Sequence, residues 1–259
     1  MEHNGIALLI DADNCPASKI TDILDELSKY GVINVRRAYG DWKSPALNGW
    51  AEILHDHAIQ PMQQFAYTKR KNATDSAIII DAMDLLYMQK LSAFGIASSD
   101  SDFTPLAMRL RANGLKVFGF GEGKTPPAFV NACTKFLFLE NLSLPAPAPV
   151  PNSAAQAAPS LAKMGTNELR SDTRLVKHLR NAVAAVSDEE GWAMLASVGS
   201  HVNKNWSAFD PRNFGYTKLS DLIIASELFE LRRDNHNHMQ LLSTRKNGKK
   251  QNPQETSTP

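Results

Sequence analysis

Five aspartates stand where carboxylates can do chemistry. Asp11 and Asp13 follow the apolar run Ala7 to Ile10, Asp100 and Asp102 follow Phe94 to Ser99, and Asp75 begins a helical segment. Carboxylates crowded at the ends of buried strands gather negative charge, and like charges held together need a cation or a raised pKa. Hard oxygen donors with no histidine pair or cysteine cluster beside them favour Mg²⁺ or Mn²⁺ over zinc, and these ions suit phosphodiester hydrolysis. One ion would activate water; two, ~3.5–4 Å apart, would clamp the attacking and leaving oxygens, and the sequence does not choose between them. A lone aspartate after a strand equally serves as a helix N-cap, and Asp102 before Phe103-Thr104-Pro105 suits that task. The set as a whole reads as a metal centre. Asp13 either joins it or orders the turn into the first helix with Asn14, itself an auxiliary polar group or a turn residue. Asp41, in YGDW, is a further acid at another strand end or an ordinary loop residue. Asp81 and Asp84 lie deeper in the Asp75 helix and are left outside the centre, one of them placed to anchor a neighbouring loop by hydrogen bonding.

Cations lie close to these acids. Lys69-Arg70-Lys71 leads into the Asp75 helix and either holds a phosphate backbone or is a solvated face; Arg36 and Arg37 carry the same ambiguity. Other signals fall away. GFGEGKT (Gly119 to Thr125) lacks the glycine that Walker spacing needs where Phe118 stands. His55 and His57, two apart at a helix end, point to different sides and make no zinc pair; His236 and His238 sit in or beside a turn. Cys15 and Cys133 are far apart, form no CxxC pair, and read as buried, reduced thiols.

These acids require a scaffold of short buried strands. Ile6 to Ile10, Val32 to Arg36, Phe94 to Ser98, Lys116 to Phe120 and Phe136 to Leu139 read as strands. Helices are expected from Pro16 through Leu27 with Gly31 as left-handed cap, and over Pro45 to Asp56, Thr74 to Lys90 and Phe103 to Asn113, the last capped by Gly114. Alternation of strand and helix predicts an α/β fold, a doubly wound, mostly parallel sheet covered on both faces, with ligands beyond the carboxyl ends of its strands. This domain covers residues 1–142. Residues 143–164 form a Pro/Ala-rich linker. Residues 165–243 read as three helices and a wing of Phe229 to Arg233 and His238 to Leu242, a small winged-helix domain, and the polar tail 244–259 has nothing to bury and is expected to be disordered. Charge is balanced, with 14 basic against 16 acidic residues up to Leu142 and 14 against 11 after it, so the mild basicity of the second half is compatible with nucleic acid without establishing it. The apolar run Ile6 to Ile10 is too short for a secretory or membrane segment, which predicts a cytoplasmic protein without membrane contact.

IDADN (Ile10 to Asn14), NATDSAIIIDAMD (Asn72 to Asp84), SSDSDF (Ser98 to Phe103) and PAFVNACTKFLFL (Pro127 to Leu139), in that order over residues 5–140, resemble the NYN domain, which is similar to PIN nucleases. The resemblance implies RNA cleavage at an acidic Mg²⁺ or Mn²⁺ centre whose ligands are Asp11, Asp75, Asp100 and Asp102, with Asp13 and Asn14 close by. Two positions depart from the pattern: Ser99 stands where glycine is common, and Thr134 where aspartate often follows Ala-Cys. EEGWAMLASVGSHVNKN and NFGYTKLSDLIIASELFELRR resemble the LOTUS (OST-HTH) domain, a winged helix associated with RNA. Its surface candidates for RNA contact are His201, Lys204, Arg212, Tyr216 and Lys218, whereas Leu219 and Leu222 belong to its core.

The expected function is a metal-dependent ribonuclease that recruits RNA through its second domain, with no organic cofactor and with self-association left open. Two alternatives stand beside it. An RNA-binding adaptor would have lost catalysis, and a haloacid-dehalogenase-type phosphatase would use the Asp-x-Asp spacing of DADN for nucleophile and acid. The latter fits poorly, because Cys15 stands where that family has Thr or Val.

Overall fold

The computed structural model describes residues 5–65, 73–142, 163–234 and 237–243; the Lys69-Arg70-Lys71 triplet, His236, most of the linker and the tail lie outside them. The chain forms two compact units, one comprising the segment up to Met164 together with Val202–Leu222, the other Gly165–His201 together with the chain from Ile223 on.

The first unit is built on β1 (Gly5–Asp11), all of it buried, as expected of a strand covered on both faces. A 3-10 turn leads into α1 (Ile20–Ser28), which buries Ile20, Ile23 and Leu27 at helical spacing. There follow β2 (Val32–Gly40), α2 (Asn48–Ala51), β3 (Gln60–Gln63), α3 (Ala73–Met88), β4 (Ala93–Ala97), α4 (Thr104–Ala112), β5 (Lys116–Gly121), α5 (Pro127–Ala132), β6 (Lys135–Phe138) and α6 (Leu139–Leu142). The strands make one six-stranded sheet in the order β3-β2-β1-β4-β5-β6, every neighbouring pair parallel. The expected strands are all present, though β2 runs on to Gly40 and β3 was not foreseen. β3 reads QPMQ, without alternation and with a proline, which only an edge strand tolerates.

The helix ends depart more. α1 closes through Lys29 N to Glu26 O and Tyr30 N to Leu27 O, and Gly31 does not take the left-handed conformation. Gly114 does, at φ +84, and ends α4 as expected. The helix expected over Pro45 to Asp56 is confined to a 3-10 turn and α2, after which the chain proceeds in turns. Of Asp81 and Asp84, expected to anchor a neighbouring loop, Asp81 instead accepts from Arg37 and from the hydroxyl of Tyr39, both on β2, and so ties α3 to the sheet. Burial, reinforced by Asp81, pushes the Tyr39 hydroxyl well above its ordinary pKa.

Val202–Leu222 packs in this unit through directed bonds. Phe136 N donates to Ser207 O at 2.8 Å, Ser207 Oγ donates to Val130 O at 2.8 Å, and Arg212 reaches Glu26 of α1 at 3.2 Å. Both cysteines are free and buried, and burial pushes each thiol up to about 12, which disfavours the thiolate.

In the C-terminal part, α7 (Thr166–Ser171), α8 (Thr173–Val186), α9 (Leu195–Asn205) and α10 (Leu219–Ser226) accompany a three-stranded antiparallel sheet of β7 (Trp192–Met194), β9 (Met239–Ser243) and β8 (Phe229–Arg233), in that order. The wing is where it was expected, and β7, only three residues long, adds a strand to it. Among the described residues no helix is long and apolar enough to cross a membrane.

Candidate metal centre

In a sheet ordered 3-2-1-4-5-6 the chain leaves β1 and β4 toward opposite sides, and a crevice opens at their carboxyl ends. The aspartates lie at that crevice. Asp11 is the last residue of β1 and is 1% exposed. Its Oδ2 accepts from Asn14 Nδ2 and from Ser98 Oγ, each at 2.8 Å, and its Oδ1 from Asp13 N at 3.2 Å. Burial pushes its pKa up, against the pull of these bonds. Asp100 caps the 3-10 turn Ser101–Phe103 with its side chain, accepting from Asp102 N at 2.9 Å. The capping task expected of Asp102 therefore falls to Asp100, and Asp102 projects from the first turn, exposed. Asp75 lies in the first turn of α3, where the helix dipole favours an acid, yet it is buried beside its fellow acids.

Asp75, Asp100 and Asp102 come together: one carboxylate oxygen from each lies within 4.8 Å of the others. Burial above all, then the charges of Asp11, Asp100, Asp102 and Asp13, push Asp75 up to about 6. Carboxylates crowded this way, with oxygen donors alone, fit a hard divalent cation. Asp11 is outside the trio but close enough to act on Asp75. Beside the trio opens a cleft of about 530 Å³, lined by Asp75, Ser76, Ile79, Asp102, Thr104 and Ala128 among others.

The auxiliary residues have definite tasks. Asp13 accepts from Thr74 Oγ1 at 3.1 Å, linking the turn after β1 to the residue before Asp75. Asn14 orients Asp11. Asp41 accepts from Gln63 Nε2 at 2.8 Å and Lys43 N at 3.3 Å, ordering the loop after β2. Of the two positions that depart from the family pattern, Ser99 accepts from Glu122 N at 2.9 Å, and Thr134 Oγ1 accepts from Val117 N at 3.0 Å, each fixing a strand end.

Of the expected surface residues, Tyr216 is buried and Arg212 is half-buried in ion pairs. The Tyr216 hydroxyl donates to Met164 O at 2.7 Å. Arg212 is engaged by Asp210 through Nε and Nη2 and by Glu26 through Nη1. Both sit in a polar-looking run in which Asp210, Phe214 and Tyr216 are buried while Thr217 and Lys218 stay exposed. Lys204 and Lys218 are exposed, and His201 is half-buried.

Ser98 was not singled out by sequence. Buried, it donates to Asp11 and accepts from Asp100 N at 3.1 Å, thereby joining the ends of β1 and β4. The one sequence signal was a hydroxyl at the end of an otherwise apolar strand. Ser98→Ala is expected to weaken Mn²⁺ binding about 10- to 100-fold, as loss of a supporting bond to a ligand does. Calorimetric titration checks this, with circular dichroism to verify the fold; undiminished affinity would remove Ser98 from the centre's support.

The family model described as the NYN domain matches residues 5–140, and that of the OST-HTH/LOTUS domain matches residues 170–240. No curated protein matches the chain. Among solved structures, a protein of unknown function from Vibrio parahaemolyticus is 18% identical over 53% of this chain and 94% of its own, with a TM-score of 0.44. An uncharacterized protein from Nitrosomonas europaea is 27% identical over 40% of this chain and 96% of its own, with a TM-score of 0.27.

Proposed function

The chain belongs to the NYN family, and we propose that it is a metal-dependent ribonuclease, hydrolysing RNA phosphodiester bonds and recruiting RNA through its OST-HTH/LOTUS domain. The observation that carries this reading is the trio of Asp75, Asp100 and Asp102 at the carboxyl edge of β1 and β4, beside an open cleft. Asp75, Asp100 and Asp102, with Asp11 completing the set, would hold Mg²⁺ or Mn²⁺, which would supply Lewis acidity toward water and the phosphoryl oxygens.

The rest of the work belongs to the chain. Asn14 and Ser98 fix Asp11, and the turn after β4 fixes Asp100 against Asp102, so the carboxylates are oriented before substrate arrives. We assign the RNA backbone to Lys69, Arg70 and Lys71, which precede α3 in the sequence, and to the exposed Lys204 and Lys218 of the OST-HTH/LOTUS match. We place the activity in the cytoplasm, where free cysteines stay reduced.

One departure favours a second reading, an adaptor that binds RNA without cutting it: Thr134, in place of the family's frequent aspartate, serves a structural bond to Val117. Labelled single-stranded and structured RNAs incubated with Mn²⁺, Mg²⁺ or EDTA separate the two. Cleavage with either metal and none in EDTA is expected. RNA bound but intact under every condition would leave the adaptor.

A further inference from the structure

We propose that a second cavity beside the carboxylates receives one nucleoside of the RNA strand, adjacent to the phosphate that reaches the acids; this inference rests on the ribonuclease reading of the same centre. The cavity measures about 390 Å³ and lies in the angle between the turn after β1, the segment of α2 and the turn after β5. Its floor is apolar, with Leu47, Trp50 and Cys15 all buried. Its polar lining comprises Asp13, Asn14, Ser99, Glu122 and Lys124, the last two paired with each other.

The placement ties it to the centre. Asp13 on its rim accepts from Thr74, the neighbour of Asp75, and Asn14 on its rim holds Asp11. The larger cleft, by contrast, is lined by Asp75 and Asp102 themselves. The acids thus line one cavity and are bonded to the rim of the other, an arrangement that suits a strand with a phosphate at the acids and a nucleoside to the side.

The chemistry of the walls suits this occupant. A nucleoside has flat apolar faces and a polar edge, and needs an apolar floor with a polar rim. Single small ligands occupy pockets of roughly 300–1,000 Å³, and this cavity is at the small end of that range. The floor is preformed, because Trp50 Nε1 donates to Cys15 O at 2.9 Å and so fixes the indole. The rim turn is held by Glu122 N on Ser99 and by Gly123 N on Glu140 Oε1 at 2.8 Å. Lys124, its side chain 77% exposed, is paired only with Glu122 among the bonds described, and an exposed pair of this kind exchanges for a phosphate at little cost.

Gly49 supplies the test. It lines the cavity, and a Cβ built there meets no heavy atom within 4 Å, so a large side chain is tolerated at this edge of the cavity and can obstruct it. The full-length protein in EDTA would be titrated with adenosine 5′-monophosphate and followed by amide NMR. Saturable shifts are expected at the Gly49, Ser99 and Gly123 amides and at the Trp50 indole, and they should vanish in Gly49→Trp. With Mn²⁺ present, the same variant should lose about tenfold in RNA cleavage, the size of one lost base contact. Lys124→Ala, at an exposed position, should weaken the nucleotide several-fold and decides the matter should Gly49→Trp fail to fold. Shifts that miss these residues, or that persist unchanged in the variants, overturn the proposal. Because the titration needs no cleavage, an inactive wild-type protein would sink the ribonuclease reading while leaving the cavity to be judged by its own result.

Discussion

Asp75→Asn is expected to lose metal-dependent RNA cleavage by on the order of a thousandfold or more, and yet to melt at a higher temperature than wild type in EDTA above pH 6. Both effects come from one arrangement. In the metal-free protein Asp75 is buried beside four other acids, which with burial push its pKa up to about 6. An acid whose pKa is raised on folding binds its proton more tightly in the folded chain. The metal-free protein therefore loses stability as pH rises from about 4 through about 6, and the loss is complete above that. A shift of some two units bounds the penalty at about 3 kcal/mol. Asparagine keeps the shape and removes the charge, which lifts that penalty but leaves one ligand fewer for the cation. Wild type should accordingly gain melting temperature on adding Mn²⁺, and the variant should gain little. Calorimetric scans at pH 5 and pH 8, with EDTA or Mn²⁺, check the pair of expectations. A variant that cleaves like wild type would place the chemistry elsewhere; one that melts lower in EDTA at pH 8 would show that burial and repulsion of the ionised carboxylate do not destabilise the centre.

That antagonism between stability and function was legible in the sequence only as to its participants. Strand ends mark themselves by apolar runs that stop at an acid, which is why Asp11, Asp100 and Asp102 were found, and the helix-initial position of Asp75 follows from the pattern after it. Which acids meet depends on strand order, and strand order is a long-range property: Asp11 and Ser98 are brought together only because β1 pairs with β4. The same limit explains the misses. β3 carries a proline and no alternation, so its residues acquire strand geometry from β2 alone. Gly31 looked like a helix cap because glycine follows an apolar stripe, yet α1 closes by short backbone bonds before reaching it. Tyr216 and Arg212 looked like exposed contacts because polarity was read as exposure. Their burial is decided by partners far away in sequence, Met164 in one case and Glu26 in the other.

Arg212→Ala should therefore act on stability, not on RNA, and by a large amount. The guanidinium, its side chain 15% exposed, holds Asp210 at 2.8 Å and Glu26 at 3.2 Å, whose side chains are 10% and 5% exposed. Burial works against both carboxylates, but the bonds from Arg212, joined by Lys29 at Glu26 and by Lys135 at Asp210, outweigh it and hold each pKa below its ordinary value. Removing the arginine leaves two buried charges short of their partner, a loss that typically costs about 3–5 kcal/mol. The sign of the pH dependence follows. Stability from groups with lowered pKa is present above the ordinary carboxylate range and fades as pH falls below about 4, so the gap between wild type and variant should narrow in acid. Urea unfolding at pH 7 and pH 3.5 measures this, and RNA affinity at equal folded concentration should differ little between the two proteins. Removing charge from both sides, as in Arg212→Met with Glu26→Gln, should recover part of the loss, because the cost lies in the unpaired charge more than in the pair itself. A variant as stable as wild type but weakened for RNA would return Arg212 to the role its polarity first suggested.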